Sequence, residues 1–251
     1  MRFLDEVTPV ILTRDEEANI ARTLGQLAWA REVLIVDSLS TDATVAIAQT
    51  FPNVRIVKRE IDTLAGQTAF GFEQASTPWV LLLDADYFVP FAIAEELQAL
   101  EPAAEDAAWK AEFTYAMQGR PLRGSLYPAR IVLLRKSAAT VWQDGHAHRV
   151  SVAGNVHTLR TRIVHDDRKD FRRFVERQKR YMREEAVKLR TASWGSLPAS
   201  GKIRRLLIAP VAVVVHTLFV KGLILDGCAG FAYAWERFVA EVILARELLR
   251  G

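Results

Sequence analysis

A single cysteine, Cys228, in a chain of 251 residues excludes an internal disulfide and any zinc cluster built on cysteines, so a reducing compartment or an indifferent one fits. A large excess of either charge is also missing. The 33 Lys and Arg against 30 Asp and Glu leave a formal charge of +3, too even a balance to argue for nucleic acid as a partner. No apolar run reaches the ~20 residues that one straight membrane-crossing helix needs. The stretch LLIAPVAVVVHTLFV (206–220) has fifteen residues without formal charge and is interrupted by Pro210. The opening MRFLDEVTPVIL carries Asp5 and Glu6 where a signal peptide has an unbroken apolar core, so nothing in it reads as a cleaved leader. Glycine is missing from LTRDEEAN (12–19), which lacks the Gly-rich loop that cradles a triphosphate.

What is present suffices for a full core. Half of the residues are hydrophobic, enough for one large domain or one domain with an appendage. Through the first hundred residues short apolar runs alternate with helical patterns. The spacing predicts strands at 7–12, 32–38, 54–60 and 79–86. Between them it predicts helices at 15–29, in STDATVAIAQTF with Ser40 or Thr41 as N-cap, and at 64–76. That alternation implies an α/β fold with a mostly parallel sheet flanked by helices. Ligands of such sheets bind at the carboxyl ends of strands, where Thr13 to Glu16, Asp37 to Ser40, and Asp84 with Asp86 fall.

The fourth run, WVLLLDAD, drives its most apolar residues into two acids. Asp is a good turn former, and a strand end alone accounts for one of them. If the strand persists through both, however, Asp84 and Asp86 face the same way and repel unless a cation or a proton intervenes. Mg²⁺ or Mn²⁺ with the phosphates of a substrate suits such oxygens. Residues 109–165 are less regular. AWKAEFTYAM and ARIVLLRK read as strands, and RVSVAGNVHTLRTRIVH reads as a hairpin turning at Ala153, Gly154 and Asn155.

The character changes at about Asp166, dividing the chain into residues 1–165 and 166–251. Phe171, Phe174, Val175, Gln178, Tyr181, Met182, Ala186 and Leu189 follow helical spacing, with arginines on the opposite face. Ten Lys or Arg against four Asp or Glu between Arg168 and Arg190 make this segment basic. Beside the apolar stretches 206–220 and 222–235 it predicts helices that lie in, or dip into, an anionic membrane surface. Packing of 206–248 on the core, or in a homodimer, is the alternative.

PVILTRDEEANIARTL, EVLIVDSLSTDATVAIA and WVLLLDAD resemble, in order and spacing, the family 2 glycosyltransferases of GT-A (Rossmann-like) fold, especially those of bacterial surface-polysaccharide and lipopolysaccharide assembly. The resemblance is strong over residues 7–90. It implies that Thr13, Arg14 and Glu16 touch a nucleotide and that Asp37 accepts hydrogen bonds from its base or ribose. It also makes Asp84 and Asp86 the metal-binding pair, with Asp86 the direct ligand. Where the family reads Thr-x-Asn-Glu this chain has Asp15, and where many relatives have Glu after the acid pair it has Tyr87. A general base on a loop after the metal motif is expected, with Asp144 as the candidate and His146 as its rival; an ordinary turn residue is the competing reading. His165, beside Asp166 and Asp167, is a candidate third metal ligand or diphosphate contact, or simply a strand-end cap. Arg59 and Gln67 are candidates to reach phosphates or sugar hydroxyls.

The resulting expectation is a Mn²⁺- or Mg²⁺-dependent inverting glycosyltransferase. Its donor would be a nucleotide-diphospho-sugar, with UDP favoured, and its acceptor a glycan or lipid-linked hydroxyl. It would work at the cytoplasmic face of a bacterial inner membrane. Two alternatives stand beside it: a non-catalytic membrane-associated partner that kept the fold, and a sugar nucleotidyltransferase, which the missing glycines disfavour.

Overall fold

The four apolar runs of the first hundred residues are strands, three of them buried on both faces and the third in sequence a partly buried edge strand, and alternate side chains go to opposite cores. In the computed structural model, which describes residues 2–145, 147–192 and 194–250, they are β1 (Val7–Thr13), β2 (Val33–Asp37), β3 (Val54–Lys58) and β4 (Trp79–Asp84). Ile11, Ile35, Leu81 and Leu83 pack on one side of the sheet, and Val10, Leu34, Val36, Val80 and Leu82 on the other. Helices α1 (Ile20–Gly25), α2 (Thr44–Ala48) and α3 (Leu64–Gln74) connect these strands. Thr63 caps α3 by accepting from the Gly66 N–H at 2.9 Å.

Further along lie β5 (Tyr87–Phe88), α4 (Ala92–Gln98), β6 (Asp106–Ala111), β7 (Phe113–Met117), β8 (Arg120–Pro121) and β9 (Arg130–Arg135). They are followed by β10 (Ala139–Asp144), β11 (Ala147–Val152), β12 (Asn155–Thr158), β13 (Ile163–His165) and the long helix α5 (Phe171–Ala192). The main sheet has seven strands in the order β12-β6-β9-β4-β1-β2-β3. β1 to β4 run parallel, whereas β9 is antiparallel to both β4 and β6. The sheet is therefore mixed, its parallel half being the one the sequence pattern identifies. β5 and β13 pair antiparallel, His165 opposite Tyr87.

Two local expectations need correction. The segment 149–165 is not a hairpin, because β11 pairs with β10 while β12 joins β6 in parallel. The chain does turn at Gly154, whose φ of +135° and close approach to the Glu105 carbonyl (2.6 Å from a would-be Cβ) exclude a side chain. The first helix is shorter than the predicted 15–29. Asp15 takes a left-handed φ of 53°, and the next two N–H groups are spent on the loop after β2, which delays α1 to Ile20.

The chain forms two compact units. The first runs through Thr114 and includes Tyr127–Gln143 and His148–Arg168; the second holds Tyr115–Leu126, residues 144–147 and the chain from Lys169 onward. In the second unit α5 buries Phe174, Gln178 and Ala186. An apolar helix, Ala199–Val220, follows, and then the C-terminal helix Cys228–Leu249. Pro210 does not break the apolar helix as its position suggests. A π-helical stretch, Arg204–Ile208, precedes the proline and widens the ladder where its missing N–H falls, so 22 residues are helical without interruption.

Candidate active site

Pairing register brings three strand ends together. Thr13 lies opposite Asp37, and Leu12 opposite Asp84, so β4, β1 and β2 present their last residues side by side. Asp37 is fully buried. Its carboxylate accepts from the Thr13 hydroxyl at 3.1 Å, the Ser40 N–H at 3.0 Å and the Ser40 hydroxyl at 2.5 Å. Three donors hold this buried carboxylate in one orientation.

The loop after β1 is stitched to the loop after β2. Asp15 donates its N–H to the Ser40 hydroxyl at 3.0 Å and accepts from the Thr41 N–H at 2.8 Å, so an acceptor is what this position uses. The N–H of Glu16 goes to the Thr44 hydroxyl at 2.6 Å, and that of Glu17 to Asp42 at 3.1 Å. Neither Ser40 nor Thr41 caps α2. The Asp42 carboxylate accepts from the Thr44 N–H at 2.9 Å, while Ser40 is committed to Asp37. Arg14 projects from the same loop into solvent, and Glu16 accepts from Asn19 at 2.9 Å.

Gln67 and Arg59 sit beside β2. Gln67 is buried and donates to the Ser38 hydroxyl at 3.2 Å and the Arg59 carbonyl at 3.0 Å; its own carbonyl oxygen is buried with no protein partner. Arg59 pairs with Asp62 at 3.0 Å, donates to the Gly66 carbonyl and lies over Phe70. It is thus engaged in holding the start of α3.

The two acids part company. β4 ends at Asp84, the chain turns, and Asp86 stands outside the strand, so the alternation argument for their convergence does not apply. Asp84 faces Arg130 at 3.3 Å. That guanidinium also donates to the hydroxyls of Tyr127 at 2.9 Å and Tyr87 at 3.2 Å, and the two hydroxyls are 2.5 Å apart. Burial would raise the Asp84 carboxyl, but Arg130 holds it below the usual carboxylate range. Burial raises the Tyr87 and Tyr127 phenols, aided by the Asp84 charge. Tyr87 therefore carries a role of its own after the acid pair: its ring packs against Phe113 and its hydroxyl helps seat Arg130.

Asp86 is buried and lies 3.4 Å from Nε2 of His165. His165 is held by its register opposite Tyr87 and by ring contacts with Tyr87 and Tyr127. The following residues tie this edge to α1. Asp166 pairs with Arg22 and with Arg168 (2.9 Å), and Asp167 accepts from Asn19 at 3.0 Å. His148, on β11, is buried, its Nδ1 has no protein partner, and burial pushes the imidazole down to about 4 against the pull of Asp84.

Among the described residues no three His, Cys, Asp or Glu side chains converge on one point. A Mg²⁺ or Mn²⁺ ion needs only one or two protein carboxylates when phosphates and water complete its shell. Two donors on one octahedral ion stand about 3 Å apart, which the Asp86–His165 spacing approaches. The residues fit such an ion, with Asp86 as the anionic ligand.

Asp144 belongs to the second unit, where it pairs with Lys188 of α5. His146 lies outside the described residues. Sequence reasoning missed Tyr127, Arg130, His148, Asn19 and Arg22. A lone arginine opening an apolar strand is the one mark of Arg130 in the sequence.

Residues 9–114 match the family model described as Glycosyl transferase family 2. The chain is 33% identical over 105 residues to the lipopolysaccharide core biosynthesis glycosyltransferase LpsC of Rhizobium meliloti, covering 40% of this chain and 39% of that protein. It is 34% identical over 96 residues to an uncharacterized glycosyltransferase of Rickettsia typhi, covering 38% and 32% respectively. The matches thus span two fifths or less of the length of these curated relatives. Among solved structures, S. aureus TarS 1–349 in complex with UDP-GlcNAc shares the fold, with a TM-score of 0.54 at 12% identity over 98% of this chain and 91% of that one.

Proposed function

Through residues 9–114 the chain belongs to glycosyl transferase family 2, and from that premise we propose that it moves a sugar from a nucleotide-diphosphate donor to a hydroxyl of a glycan or lipid-linked acceptor in bacterial envelope polysaccharide synthesis. The observation that carries this reading is the row of strand ends Thr13, Asp37 and Asp84, with Asp86 beside them. Such a row at the carboxyl edge of a parallel sheet is where an α/β fold takes its ligand. UDP is the favoured nucleotide, since the solved structure that shares the fold holds UDP-GlcNAc.

In this reading Asp37, already oriented by Thr13 and Ser40, accepts from ribose or base, and the unmatched oxygen of buried Gln67 offers a further acceptor. Arg14 and Glu16 line the nucleotide edge. Asp86 with His165 would hold a divalent metal, which would supply positive charge to the departing diphosphate. Arg130 keeps Asp84 ionised and fixed. Asp144 is the proposed base that takes the acceptor proton in an inverting displacement. The basic helix α5 and the exposed apolar residues of Ala199–Val220 support association with the cytoplasmic face of the inner membrane.

Thermal unfolding against a panel of nucleoside diphosphates, each with and without Mn²⁺, tests the reading, because a ligand bound only by the native state raises the midpoint. The expected result is a Mn²⁺-dependent rise with UDP that Asp86→Ala abolishes. Absence of any shift in folded protein overturns the donor site.

A further inference from the structure

Forty consecutive residues, 186–225, contain six Lys or Arg and no Asp or Glu. Within them lies the apolar helix Ala199–Val220, which packs antiparallel on Cys228–Leu249 as a hairpin in the second compact unit. Leu206, early in the first helix, meets Leu244 and Leu248, late in the other. Pro210, Thr217 and Leu218 are buried. The other side of the helix is bare. Its exposed positions come in pairs four residues apart: 203 and 204, 207 and 208, 211 and 212, 215 and 216, 219 and 220. In an uninterrupted α-helix a four-residue repeat rotates by about 40° per step, enough to carry a stripe round to the packed side within four steps. The π-helical stretches Arg204–Ile208 and His216–Val220 turn more slowly and cancel most of that drift. The stripe therefore runs straight for about 24 Å.

Ile203, Leu207, Ile208, Val211, Val215 and Phe219 stand on this stripe, each more than half exposed. Such a row of large apolar side chains turned outward marks an interaction surface. Between Arg205 and Lys221 no residue is formally charged, and His216 is the one titratable side chain. Both ends are positive: Lys202, Arg204 and Arg205 flank one, and Lys221 closes the other. Beyond Lys221 the segment 120–126 covers the turn 221–227. Arg123 donates to Asp226 from its N–H at 2.9 Å and its Nε at 3.2 Å, and a Cβ on Gly124 would stand 3.0 Å from the Lys221 carbonyl oxygen. The turn is a covered, ion-paired end, and the bare surface of the helix is its flank.

We infer that the hairpin lies flat on an anionic phospholipid surface, with the axis of Ala199–Val220 parallel to the membrane and this stripe sunk lengthwise into the headgroup boundary. The inference rests on the membrane association proposed above and specifies its geometry. By length and composition alone the helix could cross a bilayer. Its company decides otherwise. Crossing would carry the Arg123–Asp226 pair at one end, and Glu236, Arg237 and Glu241 of the packed second helix, into hydrocarbon, where charges are costly. Lying flat leaves all of these in water, because only the outer stripe is withdrawn from it. The long Lys202, Arg204, Arg205 and Lys221 side chains then reach the headgroups from the two ends. A second copy of the chain is the poorer occupant. Laid on the stripe in either direction it sets cation against cation, whereas anionic headgroups neutralise both ends.

The chain's only cysteine, Cys228, is exposed, so Cys228→Ser clears the background for single reporters along the stripe. Ile203→Cys, Val211→Cys and Phe219→Cys, each made in that full-length protein, carry a fluorophore. The labelled proteins are mixed with vesicles of phosphatidylglycerol and phosphatidylcholine that contain quenchers at different depths of the acyl chain. The expected result is one shallow depth for all three positions, about 5–10 Å below the headgroups, with binding at least tenfold weaker to phosphatidylcholine alone. Val211→Glu with Val215→Glu should lower binding at least tenfold while circular dichroism and thermal midpoint are retained; undiminished binding would overturn the stripe as the contact. Equal affinity for phosphatidylcholine alone would overturn the anionic surface as its occupant. A depth that grows steadily from one end to the other, or position 211 alone at the bilayer midplane, would mean end-on insertion or crossing. Either overturns the flat geometry and leaves membrane association intact. Shielding of the reporters without lipid, together with a dimer mass by light scattering, would assign the stripe to a second copy and overturn the inference too. Absence of binding to any vesicle would sink both this inference and the association it rests on.

Discussion

Replacing Arg130 with methionine tests the electrostatics at the strand ends. One guanidinium nitrogen serves three oxygens: Tyr127 at 2.9 Å, Tyr87 at 3.2 Å and Asp84 at 3.3 Å. Methionine keeps much of the stem but withdraws the donors and the charge, leaving Asp84 without this counter-ion. Losing a charged donor to a partly buried acceptor costs about 1–3 kcal/mol. The side chains of Arg130 and Asp84 are 30% and 38% exposed, so water recovers part of the loss, and we expect about 2 kcal/mol at neutral pH. For a chain of this size that corresponds to about 4–8 °C in thermal midpoint. The sign with pH follows from the lowered Asp84 carboxyl. Its stabilisation is present above the unfolded pKa and disappears as pH falls through the folded one, so parent and variant should converge in acid. Midpoints are measured across pH for Arg130→Met, Asp84→Asn and the double variant. Asp84→Asn should cost less in the Arg130→Met background than alone, with a coupling of about 1 kcal/mol. Strict additivity, or a midpoint change under about 1 °C, would refute the reasoning.

Three further outcomes are expected. Burial holds His148 at about 4, so between pH 6.5 and pH 4 the unfolded chain takes up a proton that the native one refuses, and stability is lost as pH is lowered, by up to about 3 kcal/mol. His148→Leu should flatten that part of a urea-midpoint profile; an unchanged slope would place the titration elsewhere. Gly230→Ala puts a methyl against the Leu223 carbonyl and should destabilise the hairpin by about 1–3 kcal/mol, read as faster amide exchange in Cys228–Leu249; unaltered protection would contradict the close packing. Asp144→Asn should lower kcat by about 100-fold or more with nucleotide binding retained, and activity within about threefold of the parent would assign the base to another group.

The parallel half of the sheet was legible because its strands are continuous apolar runs of β length separated by helical spacing and ending in polar residues. Thr13, Asp37 and Asp84 could be named for the same reason, since a strand's last residue is visible in sequence once the strand is. The antiparallel half resisted reading. Alternation at 147–152 and 155–158 looks like a hairpin, but partner choice depends on which sheet edge is open, and β12 found β6. The bends at Asp15 and after Asp84 were equally hidden, because each is set by bonds to a distant loop or by the end of strand pairing.

Local composition by itself determined that this chain has a two-faced parallel core, acids at its strand ends, and a basic then apolar C-terminal stretch. These follow from periodicity and burial preference, which neighbours in sequence suffice to express. Tertiary structure alone decided that Arg130, seated by two tyrosines, neutralises Asp84, that Asp86 meets His165, and that two apolar segments fold back on each other. Each of those depends on side chains tens of residues apart reaching a few ångströms of one another, a matter of chain path and packing that no local pattern encodes.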